Sequence, residues 1–187
     1  MLRTSQLDRT RRRRLDRRSG YGAGYGIEWL TIRGSRHWVC RQATGRTLEL
    51  GVGTGLNFRW YPGDVDLVAV DRDRECLEVA AERARQLRRG IRTAVADGQR
   101  LPFGPDAFDT VVCTLALCDV DDREATLAEM YRVVRPGGSV LLLDHLERRW
   151  RDGRPAALGE RAGFTVAERQ RLWVGYFERV RLHKPVA

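Results

Sequence analysis

Leu48-Glu49-Leu50-Gly51-Val52-Gly53-Thr54-Gly55 is the stretch on which the reading of this chain turns. Thr47 to Leu50 reads as a strand, and it runs directly into glycines at 51, 53 and 55. Glycines so placed permit a tight turn and let a ligand approach the backbone with no Cβ in the way. A dinucleotide fingerprint would need its third glycine at 56, to pack helix on strand, and position 56 is leucine. The spacing G-x-G-x-G, with Glu49 two residues ahead of it, fits instead a ligand whose amino acid part, rather than a diphosphate, crosses the turn.

Two acidic positions downstream agree with a nucleoside beyond that turn. Asp71 ends the next predicted strand, 20 residues after Gly51. A carboxylate there can accept from both hydroxyls of a ribose. Asp97-Gly98 follows the third predicted strand; Asp97 can accept from the exocyclic amine of an adenine, and Gly98 leaves room for the ring. Taken alone, that pair is an ordinary turn. Asp73 is placed to cap the helix after the second strand.

Outward from the turn, strands and helices alternate. Asp66 to Asp71, Ile91 to Val95, Thr110 to Leu117 and Ser139 to Asp144 read as strands. Ile27 to Gln42, Arg74 to Arg88 and Arg123 to Val134 read as helices, and another is expected to start over Gly55 to Trp60. Continuous apolar runs such as Val111-Val112-Cys113 and Val140-Leu141-Leu142-Leu143 suit a parallel sheet covered on both faces. After a short helix over Ala156 to Arg161, a strand beginning at Gly163-Phe164 and a last one from Leu172 to Leu182 have no helix between them, so they should pair antiparallel. The predicted fold is α/β: a Rossmann-like, doubly wound, mainly parallel seven-stranded sheet with an antiparallel C-terminal strand pair. Two regions are expected, a basic N-terminal arm over 1–20 and a single domain over 21–187.

The net charge of +9 suggests nucleic acid until it is located along the chain. Residues 1–20 hold eight Arg against Asp8 and Asp16, a net of +6, which leaves only +3 for the remaining 167 residues. The folded body is therefore close to charge-balanced, and nucleic acid is disfavoured as a partner. The arm is read first as a solvated basic segment, with peripheral contact to anionic lipid as the other use. No apolar run spans a bilayer and no apolar segment follows the N-terminal charges, so a cytoplasmic location is expected. Cys40, Cys76, Cys113 and Cys118, with His37, His145 and His183, show neither C-x-x-C nor paired His spacing. Reduced, packed thiols and no metal site are the expectation.

These stretches resemble the class I S-adenosylmethionine-dependent methyltransferases of the type 11 group. The residues that carry the likeness are Leu48 to Pro62, Val68 to Asp71, Asp97-Gly98, Phe108 to Leu115, Val133-Val134-Arg135-Pro136-Gly137-Gly138 and Gly163-Phe164. The group is similar to the ubiquinone/menaquinone-biosynthesis type, the small phospholipid N-methyltransferases and the thiol methyltransferases. The resemblance implies S-adenosyl-L-methionine as cofactor, with carbonyls of Gly51 and Cys113 toward its ammonium group. It implies Glu49, Gly53, Gly55 and Asn57 around the amino acid part, Asp71 at the ribose, and Arg72, Asp97 and Gly98 at the adenine. Arg135-Pro136-Gly137-Gly138 would be a helix stop and turn, and Asp109 structural. Two departures stand out: Tyr21 is followed by Gly22 where relatives often carry Tyr-Asp, and only His145 to Pro155 occupy the place where relatives insert a helical lid.

Methyl transfer from a sulfonium is an in-line displacement, so alignment can do most of the work and a dedicated base is not obligatory. Where an acceptor proton must leave, the groups beyond the strand ends are the candidates. These are Asp144 and His145 after the fifth strand and Tyr21 and Tyr25 in the glycine-rich entry; of them Tyr21 and His145 are the catalytic candidates. A small-molecule or lipid-like acceptor is expected. The competing readings are a non-catalytic S-adenosylmethionine-binding protein, an RNA or DNA methyltransferase steered by the arm, and an NAD-dependent oxidoreductase.

Overall fold

A computed structural model describes residues 26–146, 154–172 and 176–186. The Arg-rich arm with Tyr21 and Tyr25, and residues 147–153 in the shortened segment, lie outside the described residues. The elements run α1 (Gly26–Arg41), β1 (Arg46–Leu50), β2 (Asp66–Asp71), α2 (Arg74–Gln86), β3 (Arg92–Val95), β4 (Phe108–Thr114), α3 (Arg123–Val133), β5 (Val134–His145), α4 (Pro155–Arg161), β6 (Thr165–Leu172) and β7 (Phe177–His183). All seven strands join one sheet in the order β3-β2-β1-β4-β5-β7-β6. The first five are parallel, and β7 runs antiparallel to both β5 and β6, as the lack of a helix between the last two strands demands.

Apolar strands sit in the middle because both sheet faces are covered. Leu48, Leu50, Val68, Val70, Val111, Val140 and Leu142 face one core with Leu127 and Met130 of α3 and Leu158 of α4. Leu67, Ala69, Val112, Leu141 and Leu143 face the other, with Val39 of α1, Leu77 and Ala80 of α2, and Phe58. Glu49, between Leu48 and Leu50, therefore points into the second core. Asp73 caps α2 by accepting from the amides of Glu75 and Cys76, and Asp122 caps α3 through the amide of Ala125. Among the described residues no helix is long and apolar enough to cross a membrane.

Two expectations about local structure are corrected. No α-helix follows the glycine turn: Phe58–Trp60 form a single 3-10 turn. Positive φ at Gly51, Gly53 and Gly55 (69°, 53° and 76°) carries the chain out of helical geometry through residue 55. Nor is Arg135 to Gly138 a turn ahead of the fifth strand. β5 starts directly after α3, and the pairing with β4 jumps from Phe108↔Val134 to Thr110↔Ser139, so the Arg-Pro-Gly-Gly stretch is a bulge inside β5. Gly137 donates its amide to Lys184 O and Lys184 donates back to Gly138 O, which ties the bulge to the segment after β7. β4 ends at Thr114, short of the predicted Leu117, because Leu115 turns to φ +57°.

Candidate functional site

The strand order reverses between β1 and β4, and an open α/β sheet binds ligands outside the carboxyl ends of its strands at such a point. A cavity of about 280 Å³ lies there, close to the lower end of small-molecule sites. Its wall contains Gly51 and Gly53 after β1, Asp71 and Arg72 after β2, Asp97 and Gly98 after β3, and Leu115 and Ala116 after β4. Four loops that are distant in sequence thus converge because their strands are parallel neighbours.

Hydrogen bonding within the turn decides what it can bind. Gly51 and Val52 both donate to Val70 O, Gly53 donates to Asp71 Oδ2 at 2.7 Å, and Gly55 donates to Val52 O. A phosphate-binding glycine loop needs such N–H groups aimed at the ligand, with a helix start behind them. Here the donors are spent inside the fold and no α-helix begins. Asp71 also accepts from the Asp73 amide at 2.9 Å through Oδ1. Each carboxylate oxygen retains a further lone pair. Arg72 reaches across the loops to Asp121 at 3.6 Å, an exposed and weak ion pair. Asp97 is exposed and accepts from the Gln99 amide within its own turn.

Behind the wall lies a buried polar cluster. Glu49 Oε1 accepts from Asn57 Nδ2 at 2.7 Å, and that same nitrogen donates to Thr114 Oγ1 at 2.8 Å. Arg36 of α1 donates to Asn57 Oδ1 at 2.7 Å. Among the described residues Glu49 Oε2 and the Tyr61 hydroxyl have no hydrogen-bond partner. Tyr61 lies beside Glu49 and Cys40, and burial with the negative charge of Glu49 pushes its hydroxyl up. Burial pushes the Glu49 carboxyl up to about 7, against the Asn57 bond and the Arg36 charge, which pull it down.

Of the residues expected at the site, Gly51, Gly53, Asp71, Arg72, Asp97 and Gly98 line the cavity. Glu49, Gly55, Asn57 and Cys113 do not; Glu49, Asn57 and Cys113 are buried behind the wall. Gly55 shapes the turn instead, since a Cβ there would come within 2.6 Å of the Phe58 ring. His145 lies outside the wall, beside Asp144 at the end of β5, and Tyr21 falls outside the described residues. Asp109 sits at the opposite, N-terminal end of β4, accepting from the Arg46 amide and Arg135 Nε, each at 2.7 Å. Sequence reasoning missed Arg36, Thr114 and Asp119. Arg36 carries no motif and reaches the cavity only because α1 packs on the β4 and β5 face.

The methyltransferase-domain family matches residues 48–142, half of the chain, and the chain belongs to that family, in its type 11 group of class I S-adenosylmethionine-dependent methyltransferases. The phosphatidylethanolamine N-methyltransferase of Cereibacter sphaeroides is 35% identical over 122 residues, 63% of this chain and 58% of that protein. The human thiol S-methyltransferase TMT1A is 36% identical over 105 residues, 53% of this chain and 42% of its own length. The chain thus spans about half the length of the curated relatives it matches. The crystal structure of the [4+2]-cyclase SpnF superposes with a TM-score of 0.72 at 16% identity, over 83% of this chain and 81% of that one, a likeness of fold.

Proposed function

We propose that the cavity binds S-adenosyl-L-methionine and that the protein transfers its methyl group to a small-molecule or lipid-like acceptor. The observation that carries this reading is the charge of the cavity joined to the spent donors of its turn. Among the described residues Asp71, Asp73, Asp97 and Asp119 line it against Arg36 and Arg72, four carboxylates to two guanidinium groups. Such a wall suits a ligand with ammonium and sulfonium charge and repels a pyrophosphate, which disfavours the nicotinamide alternative.

In this reading Asp71 receives the ribose hydroxyls on its remaining lone pairs, while the two backbone amides keep the carboxylate from rotating. Arg72, Asp97 and Gly98 border the adenine. Gly51 turns its backbone carbonyl to the ammonium group, and Cys113, two residues before the wall residue Leu115, supports that end from behind the wall. Glu49, Gly53, Gly55 and Asn57 shape and support the amino acid end, Glu49 and Asn57 from behind the wall. When bound, the cofactor supplies an electrophilic methyl group on a sulfonium. The chain's own contribution is alignment of donor and acceptor. The named activities of the two curated relatives, on a phospholipid amine and on a thiol, support acceptors of that kind. Calorimetry with S-adenosylhomocysteine and NAD side by side tests the proposal: micromolar binding of the first alone is expected, and binding of NAD alone, or of neither, overturns it. Transfer is then read with radiolabelled methyl donor on thiol, phospholipid and nucleic acid acceptors.

A further inference from the structure

Cys118, Asp144 and His145 form a cluster that the methyl-transfer reading leaves unused. Their donor atoms all lie within 4.8 Å of one another. His145 Nδ1 is 3.3 Å from Asp144 Oδ1 and 3.7 Å from Cys118 Sγ. A tetrahedral zinc ion, with bonds near 2.0–2.1 Å to nitrogen and oxygen and near 2.3 Å to sulfur, would set N···O edges of roughly 3.3 Å and S···N edges of roughly 3.6 Å. The N···O and S···N edges match that polyhedron, and the sulfur lies within 4.8 Å of the carboxylate oxygen. The carboxylate is held in place by the fold, Oδ2 accepting from the Cys118 amide at 3.0 Å and Oδ1 from the His145 amide at 2.8 Å, the kind of support that orients metal ligands. Asp144 is buried and the His145 side chain is 15% exposed.

We propose that Cys118, Asp144 and His145 bind one zinc-class divalent cation, with three protein ligands and an open fourth position for water or a ligand atom. The mixed sulfur, nitrogen and oxygen set favours Zn²⁺ over Mg²⁺ or Ca²⁺. An ordinary thiol is mostly protonated at neutral pH, so the metal-free site carries S–H. Binding exchanges that proton for the metal: a Cys118 S–H bond breaks, a sulfur–metal bond forms, and one proton leaves to solvent. The site flanks the cavity, because Cys118 lies between Ala116 and Asp119, which both line it. Spacing alone could not reveal it: Cys118 follows β4, Asp144 and His145 end β5, and the register of those two neighbouring strands brings them together.

Cobalt(II) titration of the reduced, full-length protein tests the site by its absorption spectrum. One equivalent should raise a thiolate-to-cobalt charge-transfer band with tetrahedral d–d bands, and zinc should displace it. Cys118→Ser should abolish the charge-transfer band, while Cys76→Ser, altering a buried thiol elsewhere, should leave it intact. His145→Gln, at a partly exposed position, should weaken cobalt by at least about tenfold with an unchanged circular dichroism spectrum, and so serves if Cys118→Ser does not fold. Absence of the band, its persistence in Cys118→Ser, or unaltered affinity in His145→Gln overturns the proposal. None of these readouts depends on the methyl donor, so calorimetry with S-adenosylhomocysteine fails or succeeds separately.

Discussion

Gly51 is constrained twice, by its backbone and by its neighbour. Its φ is +69°, and an added Cβ would come within 2.3 Å of the Ala116 methyl. Left-handed backbone in an L-residue costs roughly 1–2 kcal/mol and overpacking roughly 1–3 kcal/mol, so Gly51→Ala is expected to lose about 2–5 kcal/mol in urea unfolding. Gly98→Ala makes the comparison: the atoms nearest its Cβ belong to the Leu50 side chain, at 3.2 Å, and a loss of about 1 kcal/mol is expected. Asp71 joins stability to binding, since the same two oxygens that anchor the Gly53 and Asp73 amides border the cavity. Asp71→Asn keeps the shape but turns one acceptor into a donor, facing an N–H that it repels. S-adenosylhomocysteine affinity should fall by about tenfold or more, and a change within twofold would remove Asp71 from the proposed site. Asp71 was legible because a strand-end carboxylate at fixed distance from a glycine turn has a local signature. Arg36 has none, since its contact with Asn57 depends on how α1 docks.

At the scale of elements, the sequence read most clearly where one periodicity ran unbroken. β2, α2 and the antiparallel pairing of β6 with β7 were legible from apolar runs, an Asp cap and connection length. Residues 51–65 were not, because the missing helix is replaced by side chains arriving from α2 and the turn after it. Arg83 donates to Thr54 O, and Arg89 donates to Phe58 O and Tyr61 O, each of the latter at 2.8 Å, and to Pro62 O. Two guanidinium groups thus satisfy carbonyls that a helix would have paired internally. Arg89→Met keeps the aliphatic stem and removes the charge-assisted bonds. A loss of about 2 kcal/mol and faster amide exchange confined to residues 51–65 are expected; exchange that accelerates evenly across the sheet would mean that Arg89 serves global stability instead. The β5 bulge was missed for a related reason: Arg-Pro-Gly-Gly is composed like a turn, and the return bonds with Lys184 and the Arg135–Asp109 pair, which hold it to the sheet, come from residues distant in sequence.

Across the whole molecule, stability should depend on pH through groups whose protonation differs between folded and unfolded chains. Asp109 and Glu129 are held below the ordinary carboxylate range by hydrogen bonds from Arg135 and Arg132. Their contribution is present above the unfolded values and is lost as pH falls through the folded ones. Glu49 works in the opposite sense. Desolvation raises its carboxyl from 4.5 to about 7, so between those values the folded chain binds the extra proton, and stability declines as pH rises through that window. The full effect is on the order of 3 kcal/mol, reached above pH 7, where the folded state must hold a buried carboxylate with one unpartnered oxygen. Glu49→Gln has the neutral shape at every pH and cannot make this transition. Its unfolding free energy should therefore stay level from pH 5 to 8 while that of the parent protein falls, with both declining alike in acid through Asp109 and Glu129. Parallel urea titrations at half-unit steps check it. Equal slopes in the two proteins would mean that the Glu49 proton is lost before the buried pocket closes around it, and that Arg36 and Asn57 hold a carboxylate there throughout.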